Sequence, residues 1–234
     1  MTSTRSLRCK AILFDLDGVL VNSAELVERT WRVWAARHQL DAEKVIAVAH
    51  GRRTVETVRI LAPHLNVDAE VAALESGEAV TSDGIYEIPG AREVLEMLPP
   101  DRWAIVTSGI RAIAEFRIRR TGLPMPSVMI CAEDLSRGKP DPEGYLSAAM
   151  RLGQPPKDCV VIEDAPAGIE AAHNAGMRVI AIAATYPADQ LRAADVVVER
   201  LTDLSVAWNP KEGILEVNGR RSSEGPGAAG VNGV

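Results

Sequence analysis

The stretch Ala11-Ile-Leu-Phe-Asp-Leu-Asp-Gly18 contains four apolar residues, then two aspartates separated by a leucine, and a glycine. The continuous apolar run 11–14 predicts a short strand that is buried on both faces. Asp15 and Asp17 are two positions apart, so in an extended segment their side chains share one face. Two carboxylates this close repel each other unless a cation or a shared proton compensates them. We therefore expect a buried strand with a compensated acidic tip, and a solvated acidic turn is the alternative.

The composition indicates an ordinary globular protein of 234 residues, enough for one large or two small domains. A formal net charge of −6 argues against a nucleic-acid-binding protein. No apolar run reaches the length of a membrane span, and the N-terminal residues lack the apolar stretch of a signal peptide. The three cysteines have no metal-type spacing and indicate reduced thiols. These features predict a cytoplasmic protein without a membrane or nucleic-acid partner.

From Pro89 onward, apolar runs alternate with helical patterns. The predicted strands after the first are 103–107, 128–131, 159–162, 179–182 and 195–198. The predicted helices between them are 91–98, 110–121, 142–152 and 166–175. Short apolar strands separated by helices favour a mostly parallel sheet that is covered on both faces. We expect an α/β fold with a Rossmann-like core.

Residues 22–88 interrupt this alternation because almost all of them follow a helical period. Apolar stripes recur with helical spacing, at Val27, Trp31, Trp34 and Ala35 and again at Val55, Val58, Leu61 and Ala62. Asn22 and Glu25 resemble a capping box at the first of these helices. The pattern predicts a small all-helical cap domain inserted after the first strand.

The predicted domain boundaries follow from these patterns. The core comprises 1–21 and 89–210, and the cap comprises 22–88, with hinges at 19–21 and 88–90. Residues 211–234 are poor in large apolar side chains, and we expect them to be a disordered tail.

Polar residues follow the ends of four predicted strands, where open parallel sheets bind their ligands. These residues are Asp15 and Asp17, then Thr107-Ser108-Gly109, then Lys139 in the loop 137–142, and finally Glu163-Asp164. Each segment alone has a simpler explanation as a turn, a solvated lysine or a helix N-cap. Their combination in this order predicts one active site.

The four segments resemble the motifs of the haloacid-dehalogenase superfamily of phosphohydrolases, over about residues 10–200. Asp15-Leu-Asp17-Gly matches the first motif, Thr107 the second, Lys139 the third and Glu163-Asp164 the fourth. The helical insertion is similar to the C1 type of cap, which follows the first motif directly. The chain is most similar to sugar- and polyol-phosphate phosphatases, such as glycerol-phosphate and 2-deoxyglucose-6-phosphate phosphatases.

The resemblance implies a role for each matching residue, and the chemistry of phosphoryl transfer agrees with these roles. Asp15 is expected to be the nucleophile that forms an aspartyl phosphate. Asp17 is expected to donate a proton to the leaving group and later to accept one from water. Lys139 is expected to offset the repulsion between Asp15 and the substrate phosphate. The residues expected to hold the phosphate oxygens are Thr107, Ser108 and Gly109.

The resemblance also implies Mg²⁺, which prefers carboxylate oxygens together with water and phosphate. Its expected ligands are Asp15, Asp164 and the backbone carbonyl of Asp17. Glu163 is expected either to bind the metal directly or to act through a neighbouring residue.

A small phosphorylated metabolite is the expected partner, and we expect a monomer whose cap selects the substrate. The segment 50–53 separates two helical stretches of the cap. We expect at least one of His50, Arg52 and Arg53 to contact the substrate, although a solvated turn is the alternative. Glu25 is a further candidate for the pocket.

A sugar phosphomutase similar to β-phosphoglucomutase is the alternative function, because such enzymes share the four motifs. Those mutases carry a cap histidine ten residues after their acid/base aspartate. Val27 occupies the matching position here and cannot carry a proton. This departure favours hydrolysis.

Overall fold

The structure is a computed structural model, and it describes residues 4–220. Its strands are β1 (Thr4–Cys9), β2 (Ala11–Phe14), β3 (Val21–Asn22), β4 (Tyr86–Glu87), β5 (Trp103–Val106), β6 (Met129–Ile130), β7 (Cys159–Glu163), β8 (Arg178–Ile182), β9 (Val196–Val198), β10 (Leu204–Asn209) and β11 (Ile214–Arg220). Its helices are α1 (Ala24–Arg37), α2 (Ala42–Ala49), α3 (Thr54–Leu61), α4 (Val67–Glu78), α5 (Ala91–Glu96), α6 (Arg111–Thr121), α7 (Glu143–Arg151) and α8 (Pro166–Asn174). None of the helices in this part of the chain combines the length and the apolarity that crossing a bilayer requires.

Asp15 and Asp17 follow strand β2. This strand lies inside a six-stranded parallel sheet with the order β6-β5-β2-β7-β8-β9. Successive side chains of a strand point to opposite faces. Ile12 and Phe14 accordingly pack into one hydrophobic cluster, and Ala11 and Leu13 pack into another. Helices cover both faces, which explains why this strand has no polar residue. The predicted α/β fold is confirmed.

A second sheet, of three antiparallel strands in the order β1-β11-β10, corrects the prediction for the chain end. Strand β11 pairs with β1 on one side and with β10 on the other, and it buries Leu215 and Val217. Disorder is therefore the wrong prediction for residues 211–220, because alternate apolar side chains suffice where a strand is paired on both sides. Residues 221–234, the rest of the predicted tail, lie outside the described residues.

Helices α1 to α4 have a hydrophobic cluster of their own, which includes Trp31 and Trp34 in edge-to-face contact at 5.4 Å between ring centroids. The short strand β3 precedes this block in the sequence and β4 follows it, and the two strands pair antiparallel with each other. The chain therefore leaves the core and returns to it at one place, next to the predicted hinges. We call residues 22–88 the cap below.

The predicted capping box at α1 is wrong. Ser23 is the N-cap residue, and its side chain makes no capping hydrogen bond. The Ser23 hydroxyl instead donates to Asp17 Oδ1 at 2.6 Å, while Asn22 Oδ1 accepts from the backbone N–H of Ala24 at 3.2 Å. Ser23, directly before α1, therefore binds the acidic tip with its side chain and does not cap the helix.

Candidate active site

The acidic tip of β2 lies at the carboxyl edge of the parallel sheet, between the ends of β5 and β7. Strand β2 pairs with both of these neighbours. Asp15 therefore comes close to the residues that follow them, and Asp15, Thr107, Glu163 and Asp164 are all buried. Three segments that are distant in sequence meet here because parallel strands end at one edge.

Lys139 bridges two of the carboxylates. Its Nζ donates to Asp15 Oδ1 and to Glu163 Oε1, at 2.5 Å each. Burial alone would lower the pKa of this ammonium, but the carboxylates of Asp15 and Glu163 raise it well above its ordinary value. Lys139 therefore stays charged inside the site.

Both oxygens of the Glu163 carboxylate accept hydrogen bonds from the protein, two bonds each. Its Oε1 accepts from Lys139 and from the hydroxyl of Tyr145, and its Oε2 accepts from the backbone N–H groups of Asp164 and Ala165. Burial pushes the pKa of Glu163 upward, but Lys139 and these hydrogen bonds hold it below its ordinary value. An ionised carboxylate offers about four lone-pair sites. All four sites accept hydrogen bonds from the protein. One of these bonds comes from Lys139, so Glu163 holds that ammonium in its orientation.

Asp15, Glu163 and Asp164 form an acidic cluster whose oxygens lie within 4.8 Å of one another. Three carboxylates and the ammonium of Lys139 sum to a charge of −2 when all are ionised (−3 + 1). Burial and the neighbouring carboxylates raise the pKa of Asp15 to about 7 and that of Asp164 well above its ordinary value. A buried set of oxygen donors with excess negative charge suits a hard divalent cation such as Mg²⁺.

Two glycines give the carboxylates room. Gly18 has φ +85°, and a Cβ there would overlap the carboxyl group of Asp164. At Gly168, in the first turn of α8, a Cβ would overlap the carboxyl group of Glu163. The site is packed so tightly around the acidic groups that neither position accepts a side chain.

A cavity of about 120 Å³ lies over the acidic tip, between the core and the cap. Core residues that line it include Asp15, Asp17, Thr107, Ser108, Gly109 and Asp164. The hydroxyl of Ser108 donates to the backbone carbonyl of Gly51 at 2.8 Å, so this core loop also contacts the cap. The structure thus brings the predicted phosphate-holding residues to one cavity with the predicted nucleophile.

The candidate cap residues divide into two groups. His50 and Arg52 line the cavity, whereas the other two candidates, Arg53 and Glu25, do not. Arg53 is buried, and its guanidinium donates to Glu56 and to the backbone carbonyls of Leu135 and Ser136, so it attaches the cap to the core. Glu25 lies on the exposed side of α1. Adjacent residues of the loop therefore have different environments.

His50 and Arg52 present polar groups that the described chain leaves unpaired. The Nε2 atom of His50 is buried without a hydrogen-bond partner, and its ring makes an edge contact with Tyr186 at 6.1 Å. Burial lowers the pKa of His50, which favours the neutral ring. The Arg52 side chain makes no hydrogen bond or ion pair with residues 4–220. Both residues line the cavity, and the Arg52 guanidinium has no partner within residues 4–220.

Sequence reasoning missed two charged residues that line the same cavity, the buried Arg117 and the half-buried Glu78. One guanidinium nitrogen of Arg117 is 2.7 Å from Asp17 Oδ1, and another is 2.7 Å from Glu78 Oε2. A signal was available in α6, because Ile113, Ala114 and Ile118 form its buried stripe and Arg117 has the same spacing. An arginine inside an apolar stripe indicates a buried partner.

Comparisons with known proteins find similarity to hydrolases and, among them, phosphatases. A family model described as haloacid dehalogenase-like hydrolase matches residues 9–176. Hexitol phosphatase A of Escherichia coli is 42% identical over 214 residues, which are 89% of this chain and 99% of that protein. Glycerol-1-phosphate phosphohydrolase 2 of Saccharomyces cerevisiae is 36% identical over 88% of each chain. The crystal structure of a hydrolase from Pseudomonas syringae superposes with a TM-score of 0.72 at 26% identity, covering 82% of this chain and 94% of that one.

Two glycine substitutions test whether Glu163 is held by tight packing. Gly168→Ala is expected to lower the free energy of unfolding by about 1–3 kcal/mol, because the added methyl group displaces the Glu163 carboxylate. Gly77→Ala is the matched control, since a Cβ at this position of α4 meets nothing within 4 Å. It is expected to raise the free energy of unfolding by about 0.5–1 kcal/mol. Urea unfolding measures both, and equal effects of the two substitutions would contradict the packing argument.

Proposed function

We propose that this chain, which belongs to the haloacid dehalogenase-like hydrolases and is a phosphoric monoester hydrolase, removes the phosphate of a small sugar or polyol phosphate. We propose further that the reaction runs through an aspartyl phosphate on Asp15 and needs Mg²⁺. The observation that carries this proposal is the buried cluster at the end of β2, in which one ammonium faces three carboxylates under the cavity.

Asp15 is the proposed nucleophile. One of its oxygens is held by Lys139, and the residue lines the cavity. A carboxylate oxygen attacks the phosphorus atom, the bond from phosphorus to the ester oxygen breaks, and the alkoxide takes a proton from Asp17. Water then attacks the aspartyl phosphate and gives its proton to Asp17. Inorganic phosphate leaves, and the Asp15 carboxylate is regenerated.

Asp15, Asp164 and the backbone carbonyl of Asp17 are the residues that would hold Mg²⁺. When bound, the ion supplies positive charge beside the transferring phosphoryl group. Glu163 takes no direct part in this arrangement, since its four lone-pair sites already accept hydrogen bonds. Its role is to hold Lys139, whose charge reduces the repulsion between Asp15 and the phosphate.

The cap side of the cavity supports a hydroxyl-rich substrate of modest size. His50 and Arg52 offer polar groups without partners in the described chain, and Trp31 and Val27 line the same space. Val27 supplies no proton-carrying group, which favours hydrolysis over a sugar phosphomutase reaction. The names of the two relatives, a hexitol phosphatase and a glycerol-1-phosphate phosphohydrolase, favour a polyol phosphate.

Phosphate release from a panel of sugar and polyol phosphates tests this function. The wild-type protein is expected to release phosphate when Mg²⁺ is present. Its rate of phosphate release is expected to fall to background when a chelator is added. Asp15→Asn is expected to retain less than about a thousandth of the wild-type rate, because the nucleophile is lost. Asp189→Asn, an exposed aspartate, is the control and keeps full activity.

Three outcomes would contradict the proposal. They are full activity of Asp15→Asn, full activity of the wild-type protein in the chelator, and conversion of β-glucose 1-phosphate to glucose 6-phosphate without free phosphate.

The two neighbouring arginines of the cap loop have separable effects. Arg52→Met is expected to raise KM for the best substrate about tenfold, through the loss of a charge-assisted hydrogen bond, and to leave the unfolding free energy unchanged. Arg53→Met is expected to lower the unfolding free energy by about 1–3 kcal/mol, because it removes a partly buried ion pair with Glu56 and the donors to two backbone carbonyls. Steady-state kinetics and urea unfolding measure the two effects. The reverse pattern would show that Arg53 is the residue that binds substrate.

A further inference from the structure

We propose that Arg117 is a positioning residue that orders the acid/base Asp17 only when the cap is closed, because the same guanidinium binds Glu78 of the cap. This inference rests on the proposed function, specifically on the proton transfer by Asp17. Neither Arg117 nor Glu78 is part of the four sequence motifs.

The guanidinium of Arg117 spans the boundary between core and cap. Arg117 lies in helix α6 of the core, and Glu78 is the last residue of helix α4 in the cap. The distances from the guanidinium to Glu78 and to Asp17 are both 2.7 Å. Arg117 is 3% exposed, so water contributes little to its solvation while the cap is closed. Its charge is balanced by these two carboxylates together.

Both donors to Asp17 reach the same oxygen. Arg117 forms an ion pair with Oδ1, the hydroxyl of Ser23 donates a hydrogen bond to Oδ1, and no residue in the described range 4–220 donates to Oδ2. Oδ1 is therefore held by two groups of the protein, and this contact sets the orientation of the Asp17 carboxyl group. Asp17 lines the cavity in which the proposed substrate would bind.

Helix stability does not explain the position of Glu78. An acidic side chain at the last residue of a helix is close to the negative end of the helix dipole, which is unfavourable. The last turn of α4 has no basic residue that would compensate. Burial also raises the pKa of Glu78. The contact with Arg117 is the compensating interaction, and it exists only while the cap lies on the core.

Opening of the cap would therefore change the surroundings of Asp17. Arg117 would lose Glu78 and exchange it for water, since a buried guanidinium with one partner removed is costly. Its hold on Oδ1 would then weaken through solvent screening. Closure over a substrate restores both contacts, and the proton donor becomes ordered at the moment when the cavity is shielded.

A purely mechanical attachment of the cap is the alternative, and the chain offers a matched control for it. Arg53 and Glu56 also join the cap to the core, since Glu56 accepts from Arg53 and from the backbone N–H of Gly138. This attachment does not contact Asp17. Glu56→Gln thus weakens cap closure while leaving the acid/base residue untouched.

The test compares an alkyl phosphate, which needs a protonated leaving group, with p-nitrophenyl phosphate, whose leaving group departs without a proton. The alkyl substrate is the polyol phosphate that the wild-type protein hydrolyses fastest. The value of kcat/KM reports all steps up to departure of the leaving group. Glu78→Gln and Arg117→Lys are each expected to lower kcat/KM for the alkyl phosphate about 30-fold, which is less than the roughly 10²–10⁴-fold that a general acid contributes, because the acid is misplaced and not removed. The same substitutions are expected to lower it less than about threefold for the aryl phosphate.

Glu56→Gln is expected to lower both values by the same factor and to leave their ratio at the wild-type level. Equal losses for both substrates in Glu78→Gln and Arg117→Lys would overturn the proposal and leave only a cap attachment. Circular dichroism checks folding, and if Arg117→Lys does not fold, the substrate ratio of Glu78→Gln decides. Failure of the proposed function would look different, because the wild-type protein would then release phosphate from neither substrate.

Discussion

The buried charge cluster at the end of β2 is the constraint on which the rest of this structure depends. Three carboxylates share a space with one ammonium, and burial makes every uncompensated charge costly. The fold meets this constraint with side chains from several elements. Lys139 bridges two carboxylates, and Tyr145 and two backbone N–H groups complete the hydrogen bonding of Glu163. The remaining negative charge belongs to Asp15 and Asp164, which face the cavity.

The cap completes the site from the other side. One contact, from Arg53 to Glu56 and the loop before Lys139, attaches the cap without contacting Asp17. A second contact, from Arg117 to Glu78, reaches Asp17 directly. The paired strands β3 and β4 are the only chain connections between these two parts within residues 4–220. The core thus provides the acidic side of the cavity, and the cap, which β3 and β4 connect to the core, provides the facing side.

The sequence was sufficient for the core and for its site because both follow from local patterns. Short apolar runs between helices predict a parallel sheet, and the ends of parallel strands converge, so Asp15, Thr107 and Asp164 could be placed together without a structure. Pairing between distant segments left no such local signal. Strand β11 is held by β1, about two hundred residues earlier in the chain. Side-chain direction was equally hidden, since Arg52 and Arg53 are identical in type and adjacent, yet only one lines the cavity.

In the proposed reaction, phosphate passes through a covalent bond to Asp15, and mass spectrometry can detect this adduct. The wild-type protein is mixed with its best substrate and Mg²⁺, quenched in acid within the first turnover, digested and analysed by peptide mass spectrometry. We expect one added phosphoryl group on the peptide that contains Asp15. We expect this group to disappear when the substrate is exhausted. Phosphate release at the wild-type rate without that adduct, or an adduct on another residue, would contradict the proposed reaction.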